Sequence, residues 1–319
     1  MKQLVVTGAA GFIGSNLVRR LNAEGYTNLL LVDEFDTAAK APNLEGLHYT
    51  EKIHRERFID WFTENAGEVE FVFHIGARTD TSEFNFRVLD SLNLSYTKAL
   101  WEICSSKQIP FLYASSAATY GAGEQGFSDN HAGIRTLKPL NPYGLSKQLF
   151  DMFALEQTTT PPHWYGLKFF NVYGPHENHK GRMASVVYHA YHQIKQTGKV
   201  KLFQSHNPNF KHGEQLRDFI YVDDVLDVCL YLYKNRVASG IYNLGTGTAR
   251  SFKDMVLGIF KTLRLEPVIE FIPTPLDIRD KYQYYTQAEM DKLKATGYTK
   301  NFTFLEDGVE KYVHWLEKQ

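Results

Sequence analysis

The run Thr7-Gly8-Ala9-Ala10-Gly11-Phe12-Ile13-Gly14 restricts this chain more than any other stretch. Its glycines, spaced G-x-x-G-x-x-G, follow an apolar triplet, Leu4-Val5-Val6, and open a helical pattern with Ile13, Leu17, Val18 and Leu21 on one side. In such a strand–turn–helix unit the first glycine permits the tight turn. The middle one lets the backbone approach a pyrophosphate, and the last lets helix and strand pack closely. The helix amino end then offers N–H groups and a positive dipole end to phosphates. Asp33 closes the next apolar run, Leu29-Leu30-Leu31-Val32, and completes the pattern of a dinucleotide site. A carboxylate there accepts hydrogen bonds from an adenosine ribose, which favours NAD. Lys40 and Arg55 downstream could offset it for a 2′-phosphate, so the residues leave NAD and NADP open.

Phe71-Val72-Phe73 and Phe111-Leu112-Tyr113 extend the series of buried strands. Strand and helix in alternation predict an α/β fold, a doubly wound parallel sheet with right-handed crossovers. Ligands of such sheets bind beyond the carboxyl ends of the strands. After residue 170 the pattern loosens into Pro, Gly, Asn and His clusters at 174–181 and 205–213, a helix from about Ser185 to Gln196 and short strands such as Gly240-Ile241-Tyr242-Asn243-Leu244. The expected division is a dinucleotide-binding domain at 1–170, with 217–240 returning to it. A smaller mixed α/β substrate domain is expected at 171–216 and 241–319, with 205–216 a loop.

A chain of 319 residues can bury such a core without staples. Its net charge of -1 offers no global basic field, so a nucleic-acid partner is not expected. No apolar run reaches the roughly 18 residues of a membrane span. Cys104 and Cys229 lie in apolar helical stretches and read as reduced core thiols, and Met1-Lys2-Gln3-Leu4 enters the first strand at once. These features point to the cytoplasm.

Chemistry gathers in two further stretches. Ala114-Ser115-Ser116-Ala117-Ala118-Thr119-Tyr120-Gly121 leaves the Phe111 strand, and Asn141-Pro142-Tyr143-Gly144-Leu145-Ser146-Lys147 follows. Asn141 can cap a helix whose first residue is Pro142, which puts Tyr143 and Lys147 on one helix face. A tyrosine is a poor base at neutral pH unless nearby positive charge favours the phenolate. With Ser116 on the same substrate oxygen, the trio suits removal of a hydroxyl proton while hydride leaves the same carbon. Tyr120 lacks a lysine four residues on and reads as core or wall packing. His176 with His179, and His189 with His192, have metal-like spacing but no cysteine cluster or clear third ligand, so no metal is expected.

The glycine turn, S-S-A-A-T-Y-G, N-P-Y-G-L-S-K, F-F-N-V-Y-G-P and R-D-F-I-Y-V-D-D-V together resemble the extended short-chain dehydrogenase/reductases, over nearly the whole chain. Phe170 to Val186, with its H-K-G-x-M-A-S run, narrows the likeness to the ADP-L-glycero-D-manno-heptose 6-epimerases. So do Arg217-Asp218-Phe219 and Lys281-Tyr282-Gln283 with Thr286-Gln287.

That resemblance implies a Rossmann-like fold, bound NADP with NAD as the alternative, and an ADP-heptose whose C6 is oxidised to a 6-keto intermediate and reduced on its other face. It implies Tyr143 and Lys180 as the two acid/base groups, Ser116 as hydrogen-bond partner, and Lys147 as the residue that holds cofactor and tunes Tyr143. For cofactor it carries over Gly8, Gly11, Phe12, Ile13, Gly14, Asp33, Glu34, Lys40, Arg55, Ile75, Gly76, Ala77, Arg78, Thr79, Asn93, Lys147, Val172 and Lys180. For substrate it carries over Asn171, Arg182, His189, Phe203, Gln204, Ser205, His206, Arg217 and Tyr282. It also implies a homo-oligomer, a pentamer. Read without the resemblance, Lys180 is a solvated charge or a phosphate contact. Glu34 stands where an amide is usual in the close family, and Arg182 where a small hydroxyl residue can occur. Rival readings are a UDP-hexose 4-epimerase, which needs no second base, and a non-catalytic dinucleotide-binding protein, which needs no Ser-Tyr-Lys trio. A 4,6-dehydratase needs an acid pair where this chain has Ala117 and Ala118.

Overall fold

Apolar runs too continuous for a half-exposed sheet are what a sheet covered on both faces requires. The computed structural model describes residues 2–81, 83–279 and 282–319; Met1 and Lys281, quoted above, lie outside the described residues. The first half runs β1 (Gln3–Thr7), α1 (Phe12–Ala23), β2 (Leu29–Asp33), β3 (Glu51–His54), α2 (Arg55–Asn65), β4 (Val69–His74), α3 (Phe86–Leu89), α4 (Tyr96–Ser106), β5 (Phe111–Ser116), α5 (Pro142–Glu156) and β6 (Trp164–Phe169). Then follow β7 (Asn171–Tyr173), α6 (Val186–Thr197), β8 (Val200–Phe203), β9 (Leu216–Tyr221), α7 (Val222–Asn235) and β10 (Gly240–Leu244). The chain ends with β11 (Ala249–Ser251), α8 (Phe252–Leu263), β12 (Ile269–Ile272), α9 (Leu276–Arg279), α10 (Asp291–Ala295) and α11 (Leu305–Leu316).

Among the described residues seven strands form one parallel sheet in the order β10-β6-β5-β4-β1-β2-β3. Leu4 and Val6 join a core with Leu17 and Val18 of α1 and Val225 and Leu226 of α7, while Val5 faces Phe58, Leu100 and Trp101 on the other side. This is the expected Rossmann-like sheet. A second, mixed lobe holds the sheets β11-β9-β7 and β12-β8. Its core joins Val187 and Ile194 of α6 with Met255 and Ile259 of α8 and Val309 and Val313 of α11. The division expected at residue 240 falls inside β10, which is the edge strand of the large sheet. Residues 205–215 form the expected loop, and β9 starts at Leu216. Among the described residues no helix is long and apolar enough to cross a membrane.

The strand order changes direction between β1 and β4, and this is where ligands of such sheets bind. The two turns there nearly touch. Gly8 has φ +66°, and a Cβ on it would stand 2.6 Å from the Gly76 Cα. A Cβ on Gly14 would stand 2.0 Å from the Gly8 carbonyl oxygen, so α1 seats directly on the turn.

Inside β6, Lys168 is a charge in a fully buried strand. Its ammonium donates to Asp151 of α5 at 2.6 Å and to Thr119 at 2.7 Å. Asp151 also accepts from Ser115 at 2.7 Å and Tyr113 at 3.0 Å. Every strong charge in this knot is therefore compensated, and deleting one partner strands the other. Lys168→Met is expected to lower unfolding free energy by about 3–5 kcal/mol, measured by urea denaturation. A loss under 1 kcal/mol would show that Asp151 does not depend on the lysine.

Candidate active site

The carboxyl ends of the parallel strands and the inner wall of the small lobe enclose one cleft of about 1670 Å³. Gly11 is the N-cap of α1, and no side chain caps the helix or adds an acid to its first turn. Its amino end therefore faces the cleft as a phosphate cradle would. Asp33 braces this turn: its carboxylate accepts from the Ala10 N–H at 2.9 Å and the Glu34 N–H at 2.7 Å. Lys40 sits 3.0 Å from Asp33 and 3.8 Å from Glu34, so one ammonium answers two acids. Glu34 also accepts from Thr37, and its carboxyl lies below the usual range, first because of that bond. Arg55 lines the same end, with its Nε buried and without a hydrogen-bond partner. Ile75, Gly76, Ala77, Arg78 and Thr79 continue the wall. Asn93 stands behind it: it accepts from the Arg78 N–H at 2.7 Å and donates to the Arg78 carbonyl at 3.0 Å.

Asn141 caps α5 by accepting from the Gly144 N–H at 2.8 Å, with Pro142 as first residue. That turn sets Tyr143 on the cleft wall beside Ser116 at the end of β5. Burial raises the Tyr143 phenol, and the Ser116 hydrogen bond opposes that rise. Lys147 lies one helical turn on, behind the wall, and donates to the Ala114 carbonyl at 2.8 Å. Burial brings its ammonium down to about 8, against the pull of Asp151. Tyr120 is core packing, buried with its hydroxyl donating to Asn243 at 2.6 Å.

Lys180 reaches the cleft from the Asn178–Met183 turn after β7. Its ammonium lies 5.1 Å from the centre of the Phe12 ring on α1. Burial lowers its pKa, and Glu177 opposes the fall. Of the histidines near it, His176 meets the Trp315 ring edge-on, and His179, on the cleft wall, contacts Asn43 at 3.2 Å.

The far end of the cleft takes Asn171, Val172, Arg182, His189, Phe203, Arg217 and Tyr282 onto its wall. Arg217 is buried between the Phe252 and Tyr282 rings, at 5.6 and 5.3 Å. It donates to the carbonyls of Leu216 and Gln283, and burial lowers its pKa. Gln204, Ser205 and His206 are not on this wall. β8 ends at Phe203, and the chain turns outward, held by Gln204 to the Phe271 carbonyl and by Tyr284 to the His206 N–H. Gln283 and Phe252 are among the wall residues that the sequence left unassigned. Gln283, inside the quoted K-Y-Q stretch, donates to the Gly121 carbonyl. Phe252 had no signal beyond its place at the start of an apolar helix.

A glycine cradle, a Ser-Tyr-Lys trio and a cationic far end in one cleft define a nucleotide-dependent enzyme built on this sheet. A family model of the NAD dependent epimerase/dehydratase family matches residues 4–245, and the chain belongs to that family. It is 46% identical to an ADP-L-glycero-D-manno-heptose-6-epimerase of Fusobacterium nucleatum, over 99% of this chain and 98% of that one. The crystal structure of the Helicobacter pylori ADP-L-glycero-D-manno-heptose-6-epimerase superposes with a TM-score of 0.82 at 28% identity, covering 99% of this chain and 96% of that one. MoeE5 in complex with UDP-glucuronic acid and NAD superposes with a TM-score of 0.77 at 26% identity, covering 100% and 99%.

Beneath the cradle His74 is buried, hydrogen-bonded to Thr7 at 2.7 Å and Thr97 at 2.9 Å. Burial, and then the Lys147 charge, bring its pKa down to about 3. The unfolded chain therefore binds a proton near pH 6.5 that the folded one refuses until about 3, and stability falls as pH drops through that window. At about 1.4 kcal/mol per unit, His74 should cost the fold about 2 kcal/mol by pH 5. Urea midpoints of the wild type and His74→Gln at pH 7 and pH 5 test this. The variant should lose less on acidification, and equal acid losses would refute the assignment.

Proposed function

We propose that this protein is an epimerase that inverts C6 of ADP-D-glycero-D-manno-heptose to give the L-glycero sugar. The carrying observation is that Tyr143 and Lys180 line one cleft, the first on α5 beside Ser116 and the second on the turn after β7, over Phe12. Two epimers present the C6 hydroxyl from opposite sides, so inversion needs two proton-handling groups and a ketone free to turn between them. Tyr143 takes or returns the hydroxyl proton on one side, with Ser116 holding the oxygen. Lys180 does the same on the other. A bound nicotinamide dinucleotide supplies the hydride acceptor and donor. The uncapped amino end of α1 and the close Gly8–Gly76 approach fit its pyrophosphate, since a Cβ at either glycine would force the two turns apart. Arg217, cationic and held only by carbonyls and rings, suits the diphosphate of the sugar nucleotide.

For the dinucleotide, NADP is the reading we adopt. The buried, unpartnered Arg55 Nε favours an anion at the adenosine end, and Lys40 already neutralises part of the Asp33–Glu34 charge. By its likeness to the heptose epimerases the protein works as a homo-oligomer, a pentamer, in the cytoplasm.

Pure protein incubated with ADP-D-glycero-D-manno-heptose and no added cofactor should invert C6, as followed by NMR of the sugar. An unchanged sugar after NADP and NAD are added in turn would end this assignment. Tyr143→Phe combined with Lys180→Met should fold and bind dinucleotide but not epimerise; residual turnover would remove the two-base scheme. Replacing Asp33 and Glu34 by asparagine and glutamine should raise the NADP-to-NAD affinity ratio. No change in that ratio would move the preference to Lys40 and Arg55.

A further inference from the structure

The turn that carries Lys180 is tied to both lobes. On the cofactor side Asn16 donates to the Pro175 carbonyl at 2.9 Å, and Asn43 donates to the His176 carbonyl at 3.3 Å. On the substrate side the tie is Glu177, a fully buried acid behind the cleft wall. Its carboxylate accepts from the Ser185 N–H at 2.6 Å and the Ser185 hydroxyl at 2.5 Å. Ser185 is the N-cap of α6 and accepts from the Tyr188 N–H at 3.3 Å. The Glu177 carbonyl in turn accepts the Lys180 N–H at 2.9 Å. A buried carboxylate is costly unless its charge is answered as well as hydrogen-bonded. Burial raises the Glu177 carboxyl, and the Lys180 charge, the two Ser185 groups and the Tyr312 hydroxyl oppose that rise, while Glu177 opposes the fall that burial imposes on the Lys180 ammonium.

We propose that Glu177 is a positioning residue for Lys180: it clamps the Asn178–Met183 turn to the amino end of α6 and so sets where the Lys180 ammonium stands over Phe12. This inference rests on the reading of Lys180 as the second acid/base group. The groups that face the pair are few. His179 lies beside Lys180 with Lys40 and Asp33 beyond it, and the Tyr312 hydroxyl of α11 lies beside Glu177 with Tyr188 and Tyr221 behind.

Removing an anion beside an ammonium favours the free amine. In one direction of epimerisation Lys180 works as the amine and the acid limb of the pH profile reports it. In the other it works as the ammonium and the alkaline limb reports it. With ADP-D- and ADP-L-glycero-D-manno-heptose as substrates, Glu177→Gln should move both limbs about one unit toward acid and lower kcat about tenfold with KM little changed. Glu177→Asp should restore the limbs. Unmoved limbs in Glu177→Gln would overturn the proposal, and so would limbs displaced equally in Glu177→Asp. Should Glu177→Gln melt too low to assay, the Glu177→Gln/Lys180→Met pair decides. Removing both charges should raise the melting temperature above that of Glu177→Gln alone, and additive losses would overturn the proposal. Full activity in Lys180→Met would instead defeat the second-base reading, separately from any result at position 177.

Discussion

Two backbone turns share a space with no room for a Cβ. Gly8 after β1 and Gly76 after β4 approach so closely that a methyl on either would meet the other's backbone within 3 Å. This contact brings the two strands on either side of the switch point to a common edge, and the cleft opens there. It also explains the layered support below. Thr7 accepts the Gly76 N–H at 3.1 Å and is hydrogen-bonded to His74, which reaches Thr97 of α4. Asn93, just before that helix, fixes Arg78 on the loop that leaves Gly76. A dinucleotide cradle made mostly of backbone is rigid here because buried side chains hold its two turns in register.

The buried cations divide by the kind of partner they have. Lys168 is closed off by a carboxylate and serves the core. Lys147 and Arg217 are held by carbonyl oxygens, which orient a cation without cancelling its charge. A cation held in this way keeps its field for whatever enters the cleft, since a dipole satisfies its hydrogens but leaves the net charge uncompensated. Lys180 stands between these cases, with an acid behind it and the cleft before it. The site thus separates structural charge from charge kept for an anionic ligand.

Much of this was legible in the sequence. The strands at Leu4, Leu29, Phe71 and Phe111 announced themselves because a sheet covered on both faces needs unbroken apolar runs. The cap at Asn141 and Pro142 placed Tyr143 and Lys147 on one helix. Other elements had no such signal. β3, Glu51-Lys52-Ile53-His54, is an edge strand whose charges face water. β6 carries Gly166 and Lys168, and the partner that makes a lysine tolerable there, Asp151, comes from another element. Gln204, Ser205 and His206 come with Phe203 from the resemblance, but β8 ends at Phe203 and the three residues after it are off the cleft wall. Glu177, in a polar turn, looks like any solvated acid until the fold buries it.

The turn from Pro175 to Ser185 is where the two lobes become one site. Asn43, itself buried, donates to the Ala10 carbonyl inside the glycine turn at 2.9 Å and also contacts His176 and His179. The phosphate cradle and the Lys180 turn are therefore joined through the amides of Asn43 and Asn16, while Glu177 and Ser185 join that turn to α6, which carries His189 of the cleft wall. A shift in either lobe reaches Lys180 through these hydrogen bonds and through the Phe12 ring beneath its ammonium. On the proposed reading of Lys180 as an acid/base group, it must stay within hydrogen-bond reach of the reacting oxygen and so keep its place relative to both ligands at once. Anchoring its turn to the cradle on one side and to the substrate lobe on the other meets that need without placing Lys180 on a helix or a strand.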